Sequence, residues 1–363
     1  MKAGGALFRV SVAALTVLGL AGTVHALRPD PEDVSQSLYL FGTMVEVEIH
    51  GVKEPQARAA IARVDQHLQQ IHTDWHAWRP GALETLNAAL AAGESARVDP
   101  ALAQVLAQGR DLACTSDGLF DPAIGALIAA WGFHADTLPE GDPPLDATID
   151  ALIAPHPTML DVTISGTEVR SSNPAVQLDL GAYAKGAALD LAEEDLRAEG
   201  ITDAVLNAGG GVQVMGRHGA RPWRVAIRDP FAWGVVAALE LAPGEALHTS
   251  GNYERYLEAG GVRFSHILDP RTGRPVTDIV SVSVLAENGA LADAAATALS
   301  VAGAQDWPRI AAQMGVKNVL MITGQGEIFA TPSMRARLDP VGGDFPAPVT
   351  LVDLPASPRP RCD

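Results

Sequence analysis

Strand-like and helix-like runs follow one another along this 363-residue chain without strict alternation, and that order restricts the fold more than any other feature. A doubly wound parallel sheet needs a helix after nearly every strand. Here strands follow strands, so the sequence predicts an α+β fold of mixed sheets with packed helices. Between Leu38 and His50, Val45, Val47 and Ile49 alternate with Glu46, Glu48 and His50, the period of a half-buried strand. Helical spacing then predicts helices over Glu54–Ile71 and Pro100–Cys114, the second opening on a proline whose missing amide does no harm there. After Gly118 the helical pattern resumes over Pro122–Trp131. Residues 134–160 hold five prolines and read as a surface excursion with one short helix near 147–153.

The second half predicts a hairpin over Thr158–Arg170, a strand at Val176–Leu180 and a helix over Ala184–Glu199 that Gly200 stops. A short strand at Ala204–Asn207 runs into Gly209-Gly210-Gly211. Strands near 223–228, 236–241, 262–268 and 279–286 follow, then helices at Leu291–Ala302 and 306–314 and a strand at 318–323. No internal repeat is visible.

The two ends read differently. Lys2 and Arg9 precede the short apolar run Val10–Ala21, and Val24-His25-Ala26 offers small residues for cleavage, so residues 1–26 are expected to be an export signal, cleaved or kept as an anchor. Residues 27–354 are expected to form the domain and residues 355–363 a proline-rich tail. The sequence favours a buried inert thiol at Cys114 over a bridge to Cys362, the only other cysteine. A net charge of −17 argues against nucleic-acid or anionic-membrane partners, and a phosphate ligand would need local cations.

Four stretches carry chemistry. In L-A-D-A-A-A-T-A (291–298), Asp293 and Thr297 project from one helical face among alanines that let a backbone or ligand come close. They suit a hard cation such as Mg²⁺; a helix cap at Asp293 is the competing reading. In L-D-L-G-A-Y-A-K-G (178–186), a strand turns into a helix whose first amides and Lys185 would meet an anion, or else Lys185 is a solvent lysine. N-A-G-G-G-V (207–212) is a tight turn or a ligand approach. Finally T-S-G-N-Y-E-R-Y (249–256) and S-H-I-L-D-P-R-T-G (265–273) gather histidine, aspartate and arginine, more than a turn needs.

Together with F-G-T-M-V-E-V-E (41–48), S-D-G-L-F-D-P-A-I (116–124) and W-G-F (131–133), these stretches resemble, in order and wording, the ApbE family of FAD:protein FMN transferases. The resemblance implies a FAD cleft between two subdomains and Mg²⁺ at the FAD pyrophosphate. It implies Asp293 and Thr297 as side-chain metal ligands and Ala182 as a carbonyl ligand. Met44, Trp78, Leu119, Phe120, Asp121, Asp179, Lys185 and Ile267 fall on nucleotide contacts, and His266 near the reacting hydroxyl, where an imidazole titrating near neutrality would take its proton. The implied reaction moves FMN from FAD to a Ser or Thr of an acceptor flavoprotein, an exported or membrane redox protein, and releases AMP. The compartment implied is the periplasm. Two positions depart from the family: Gly211, where aspartate is usual, and Asn252, where aspartate or serine is common. A Mg²⁺-dependent FAD pyrophosphatase and a non-catalytic periplasmic FAD-binding protein are the alternatives.

Overall fold

The computed structural model describes residues 33–135, 137–356, 360 and 362; the expected signal, residues 1–26, lies outside them. Its centre is a nine-stranded sheet whose strands follow in space their order in the chain: Val34–Leu40, Thr43–Ile49, Ala204–Ala208, Gly211–Met215, Ala246–Gly251, Ile279–Ala286, Asn318–Thr323, Ile328–Ala330 and Val349–Leu351. Neighbours are antiparallel except the last pair. This is the mixed α+β fold that the order of elements predicts.

Side-chain alternation explains why the sheet is covered on both faces. Val282, Val284, Val319 and Met321 point into the main core with the helices Glu54–Asp74, Ala184–Ala198 and Gly289–Met314. Leu285, Leu320 and Ile322 point the other way, against Trp223–Arg228 and Val235–Leu241 of a small second sheet. A third cluster (Ile124, Leu127, Trp131, Phe133, Ile149, Leu257 and Leu268) stands apart from these two. Among the described residues no helix is long and apolar enough to cross a membrane.

Several local expectations are corrected. Leu38–His50 is not one run but part of a hairpin, Val34–Leu40 and Thr43–Ile49, turning at Phe41 and Gly42, both with positive φ (53° and 71°). Val176–Leu180 is no strand: beyond a single bridge from Gln177 to Ile124, Leu178 is held by the Asn87 side-chain amide, which bonds both its N–H and its carbonyl. Residues 177 and 179 bond backbone-to-backbone with 122–125 on one side, and the Asn87 amide serves Leu178 on the other. A helix over Ala82–Ala91 is additional. The two helices expected at 291–302 and 306–314 are present, and they meet at a kink at Gly303, where φ is 72°.

The cysteine expectation is also overturned. Cys114 and Cys362 form a disulfide across 248 residues, and Arg110 Nη1 donates to the Cys362 carbonyl at 3.3 Å. Cys362 thus lies against the helix Pro100–Thr115, a long-range contact that no local pattern announces.

The helices Ala184–Ala198 and Gly289–Met314 meet backbone to backbone. A Cβ added to Gly186 would lie 2.2 Å from the Gly289 carbonyl oxygen, and one added to Gly289 would lie 2.7 Å from the Gly186 carbonyl oxygen. Two consequences can be measured. Gly186→Ala should cost about 1–3 kcal/mol of stability, the range for overpacking a close contact, in a urea titration; an unchanged midpoint would show that the helices part freely. Cys114→Ala should lower stability by about 2–5 kcal/mol, and dithiothreitol should reproduce that loss in the wild type but not in the variant.

Candidate functional site

A cleft of about 320 Å³ opens between the main core and the third cluster, and both line it: Phe120 and Ala184 from one, Ile128 and Leu268 from the other. Its size is that of a small-ligand site. The start of the helix Ala184–Ala198 lines it, and the N-cap residue Tyr183 does not cap that helix with its side chain, which donates instead to the Val105 carbonyl. The positive end of that helix therefore faces the cleft, together with Lys185.

Asp293 comes from the neighbouring helix. Its own helix is capped by Asn288, whose side chain accepts from the Leu291 N–H, so the competing reading of Asp293 as that cap fails. Instead the buried Asp293 carboxylate reaches across to the other helix: Gly186 N donates to Oδ2 at 3.1 Å, and Lys185 Nζ stands 3.9 Å from it. Burial opposes ionisation, but Lys185, His248 and the Gly186 amide outweigh it and hold the pKa below the ordinary carboxylate value.

One turn along, Thr297 Oγ1 lies 3.4 Å from the Ala182 carbonyl oxygen and 3.3 Å from Ser250 Oγ. A charged carboxylate, a hydroxyl and a backbone carbonyl thus gather where two helices meet. That donor set fits a small hard cation such as Mg²⁺.

The other expected contacts divide by environment. Trp78 Nε1 donates to Asp179 Oδ2 at 2.8 Å, while Asp179 Oδ1 accepts from Gly181 N at 2.8 Å, so the indole and the turn are both set at the cleft wall. Leu119, Phe120 and Ile267 are buried apolar lining. The Asp121 carboxylate is engaged internally by Thr158 Oγ1 (2.6 Å) and the amides of Met159 and Ala123. Burial raises its pKa to about 6 in spite of those bonds. Met44 stands 54% exposed, and its neighbours Phe41, Gly42 and Thr43, not Met44 itself, line the cleft.

His266 lines the cleft at the end of the strand Val262–Ser265. Its Nδ1 is 3.0 Å from the Arg255 carbonyl oxygen, which can only accept. The ring proton therefore sits on Nδ1, and Nε2 carries the free lone pair. An ordinary imidazole would titrate near neutrality, but burial, followed by the charge of Lys185, lowers the pKa to about 4. Asp269, which could have raised it, is held by Arg271 at 2.8 Å.

Sequence reasoning missed three groups in this region: Arg255, whose carbonyl orients His266, and Ser250 and His248, which touch Thr297 and Asp293. Each lies in or beside a quoted motif without a spacing that singles it out. It also missed a surface cluster of Asp33, His50 and His218, whose ligand atoms lie within 4.8 Å of one another. The two rings stack 4.2 Å apart and both address the Asp33 carboxylate, at 2.7 and 2.9 Å. Through Asp33 the two rings tie the residue before the first strand to the end of the second strand and to the turn at His218.

Comparison with known proteins converges on one family. The sequence profile of the ApbE family matches residues 41–320. A Rhodobacter capsulatus protein named FAD:protein FMN transferase is 68% identical over 350 residues, covering 96% of this chain and 67% of that one. A Treponema pallidum protein of the same name is 33% identical over 320 residues, covering 84% of this chain and 87% of the other. Among solved structures, the flavin transferase ApbE from Vibrio cholerae superposes with a TM-score of 0.75 at 27% identity, covering 85% of this chain and 99% of that one. The ApbE protein of Thermotoga maritima gives 0.76 at 28% identity, covering 84% and 99%.

The geometry of His266 has a direct check. Its ¹⁵N resonances should report a neutral ring protonated at Nδ1 from pH 7 down to about 5, with charge acquired only near pH 4. A ring titrating near pH 6.5 would contradict the described environment.

Proposed function

The chain belongs to the ApbE family, and on that premise we propose that it is a FAD:protein FMN transferase, an enzyme that takes FAD as substrate and places FMN on an acceptor protein. The observation that carries the reading is the meeting of Asp293, Thr297 and the Ala182 carbonyl at the start of the helix bearing Lys185. An acidic protein with a net charge of −17 would otherwise repel a dinucleotide. A helix N-terminus and a lysine supply local compensation.

In this reading the FAD pyrophosphate lies over the first turn of Ala184–Ala198, near Lys185. Trp78, Leu119, Phe120 and Ile267 offer the apolar walls, and Asp121 and Asp179 complete the nucleotide contacts, while Met44 stands outside the cleft. Asp293, Thr297 and Ala182 would hold Mg²⁺, which when bound would draw charge from the pyrophosphate and from the departing AMP. The acceptor's Ser or Thr oxygen attacks the FMN phosphorus as its proton passes to His266 Nε2. The bond to the AMP oxygen breaks, leaving FMN in a phosphoester link. Neutral His266 can accept that proton at any pH above about 4. Below it the ring is already protonated, so transfer should persist well below pH 6.5 and fail near pH 4.

We also propose that the enzyme works outside the cytoplasm, on exported or membrane redox proteins. The signal-like residues 1–26 and the Cys114–Cys362 disulfide support that location.

The test is to incubate the protein with FAD, Mg²⁺ and candidate exported redox proteins, then look for flavin fluorescence in the denatured acceptor band. Transfer should appear in the wild type and nearly vanish in Asp293→Ala or with EDTA. It should fall by roughly 10²–10⁴-fold in His266→Ala, the scale for losing a positioned base. Conversion of FAD to FMN and AMP without any acceptor, and no labelled protein, would make it a pyrophosphatase instead.

A further inference from the structure

Behind the Asp293 carboxylate lies a residue that the reaction scheme leaves unused. His248, in the strand Ala246–Gly251, is 1% exposed, and its Nδ1 stands 3.6 Å from Asp293 Oδ1. The two carboxylate oxygens are thus addressed separately: Oδ2 by the Gly186 amide and Lys185, Oδ1 by His248.

The ring is seated on a glycine. In the antiparallel register His248 lies opposite Gly211, and a Cβ at that glycine would fall 2.3 Å from His248 Cε1 and 2.5 Å from Nδ1. The imidazole therefore fills the space of a side chain at 211. This gives a physical reason for the departure at that position: an aspartate there and this ring cannot share the site. Gly211 and His248 act as one unit.

The other side of the ring is informative too. Among the described residues His248 Nε2 is buried and makes no hydrogen bond. An imidazole with one unpaired buried nitrogen is a costly way to fill space that leucine would fill without penalty. Its nearest carboxylate contact is with Asp293, and its charge is also felt at Asp190.

We infer that His248 is a positioning residue, which fixes the orientation of the Asp293 carboxylate for the divalent cation, as hydrogen-bonded partners behind ligand carboxylates do. The inference rests on the reading of Asp293 as a metal ligand. It predicts that metal affinity, not FAD-pocket integrity, depends on the ring.

The experiment titrates Mn²⁺, as a paramagnetic stand-in for Mg²⁺, into the purified protein and reads free Mn²⁺ by electron paramagnetic resonance, alongside thermal melting. Asp293→Asn should lose the site. His248→Leu, which fills the space without a donor, should weaken Mn²⁺ binding about 10–100-fold while melting no lower than wild type. His248→Gln, which restores an N–H, should recover most of the affinity. Gly211→Ala should push the ring away and weaken binding, and the double variant Gly211→Ala/His248→Ala should melt above that single variant without regaining affinity. If His248→Leu binds Mn²⁺ as wild type does while Asp293→Asn does not, His248 only fills space and the inference is wrong. Recovery of affinity in the double variant would overturn it in the same way, and covers the case in which His248→Leu does not fold. Wild-type binding by Asp293→Asn would instead remove the metal reading itself, and the inference with it.

Discussion

The site depends on two backbones touching. Gly186, in the first turn of one helix, and Gly289, in the first turn of another, approach so closely that neither tolerates a Cβ. That contact brings the Asp293 carboxylate to the Gly186 amide and places Thr297 beside the Ala182 carbonyl. The alanines around Asp293 and Thr297 are nearly all fully buried, and they serve the same purpose by keeping the second helix close along its length. Packing and chemistry are thus one constraint: separating the helices would dissolve the group of oxygen donors.

Charge is arranged by the same contact. Asp293 ends the neighbouring helix from outside and stays ionised because Lys185, His248 and an amide face it against the cost of burial. Lys185 acts in two directions, favouring the carboxylate and disfavouring a proton on His266. Lys185 thus helps keep one group anionic and, after burial, helps keep the other neutral, the states that a cation seat and a proton acceptor require. The cost is a buried carboxylate whose partners must all stay in place, which explains why a rigid helix pair carries it.

Much of this was legible in the sequence because it is local. Asp293 and Thr297 share a helical face by spacing alone, Gly200 ends its helix, and the order of strands and helices predicts the mixed fold. The ApbE resemblance rests on motifs, and the matched relatives and structures bear it out. What escaped depends on distant partners. The Leu178 backbone is satisfied by Asn87 rather than by a strand. Cys362 returns to Cys114 through a tail with no periodicity. The lowered pKa of His266 comes from burial and then from Lys185, a neighbour 81 positions away in the chain, and only the fold supplies either. His248 matters only because the residue opposite it in the sheet is glycine.

The central claim is that the meeting of these two helices seats a divalent cation for FAD. The most direct measurement is anomalous diffraction from crystals grown with FAD and Mn²⁺. The account predicts a peak bonded to an Asp293 carboxylate oxygen, Thr297 Oγ1 and the Ala182 carbonyl oxygen at roughly 2.0–2.3 Å, distances expected for a hard divalent ion, with the pyrophosphate completing its shell. A peak elsewhere, at Asp33, His50 and His218 for instance, with none between the helices, would contradict it.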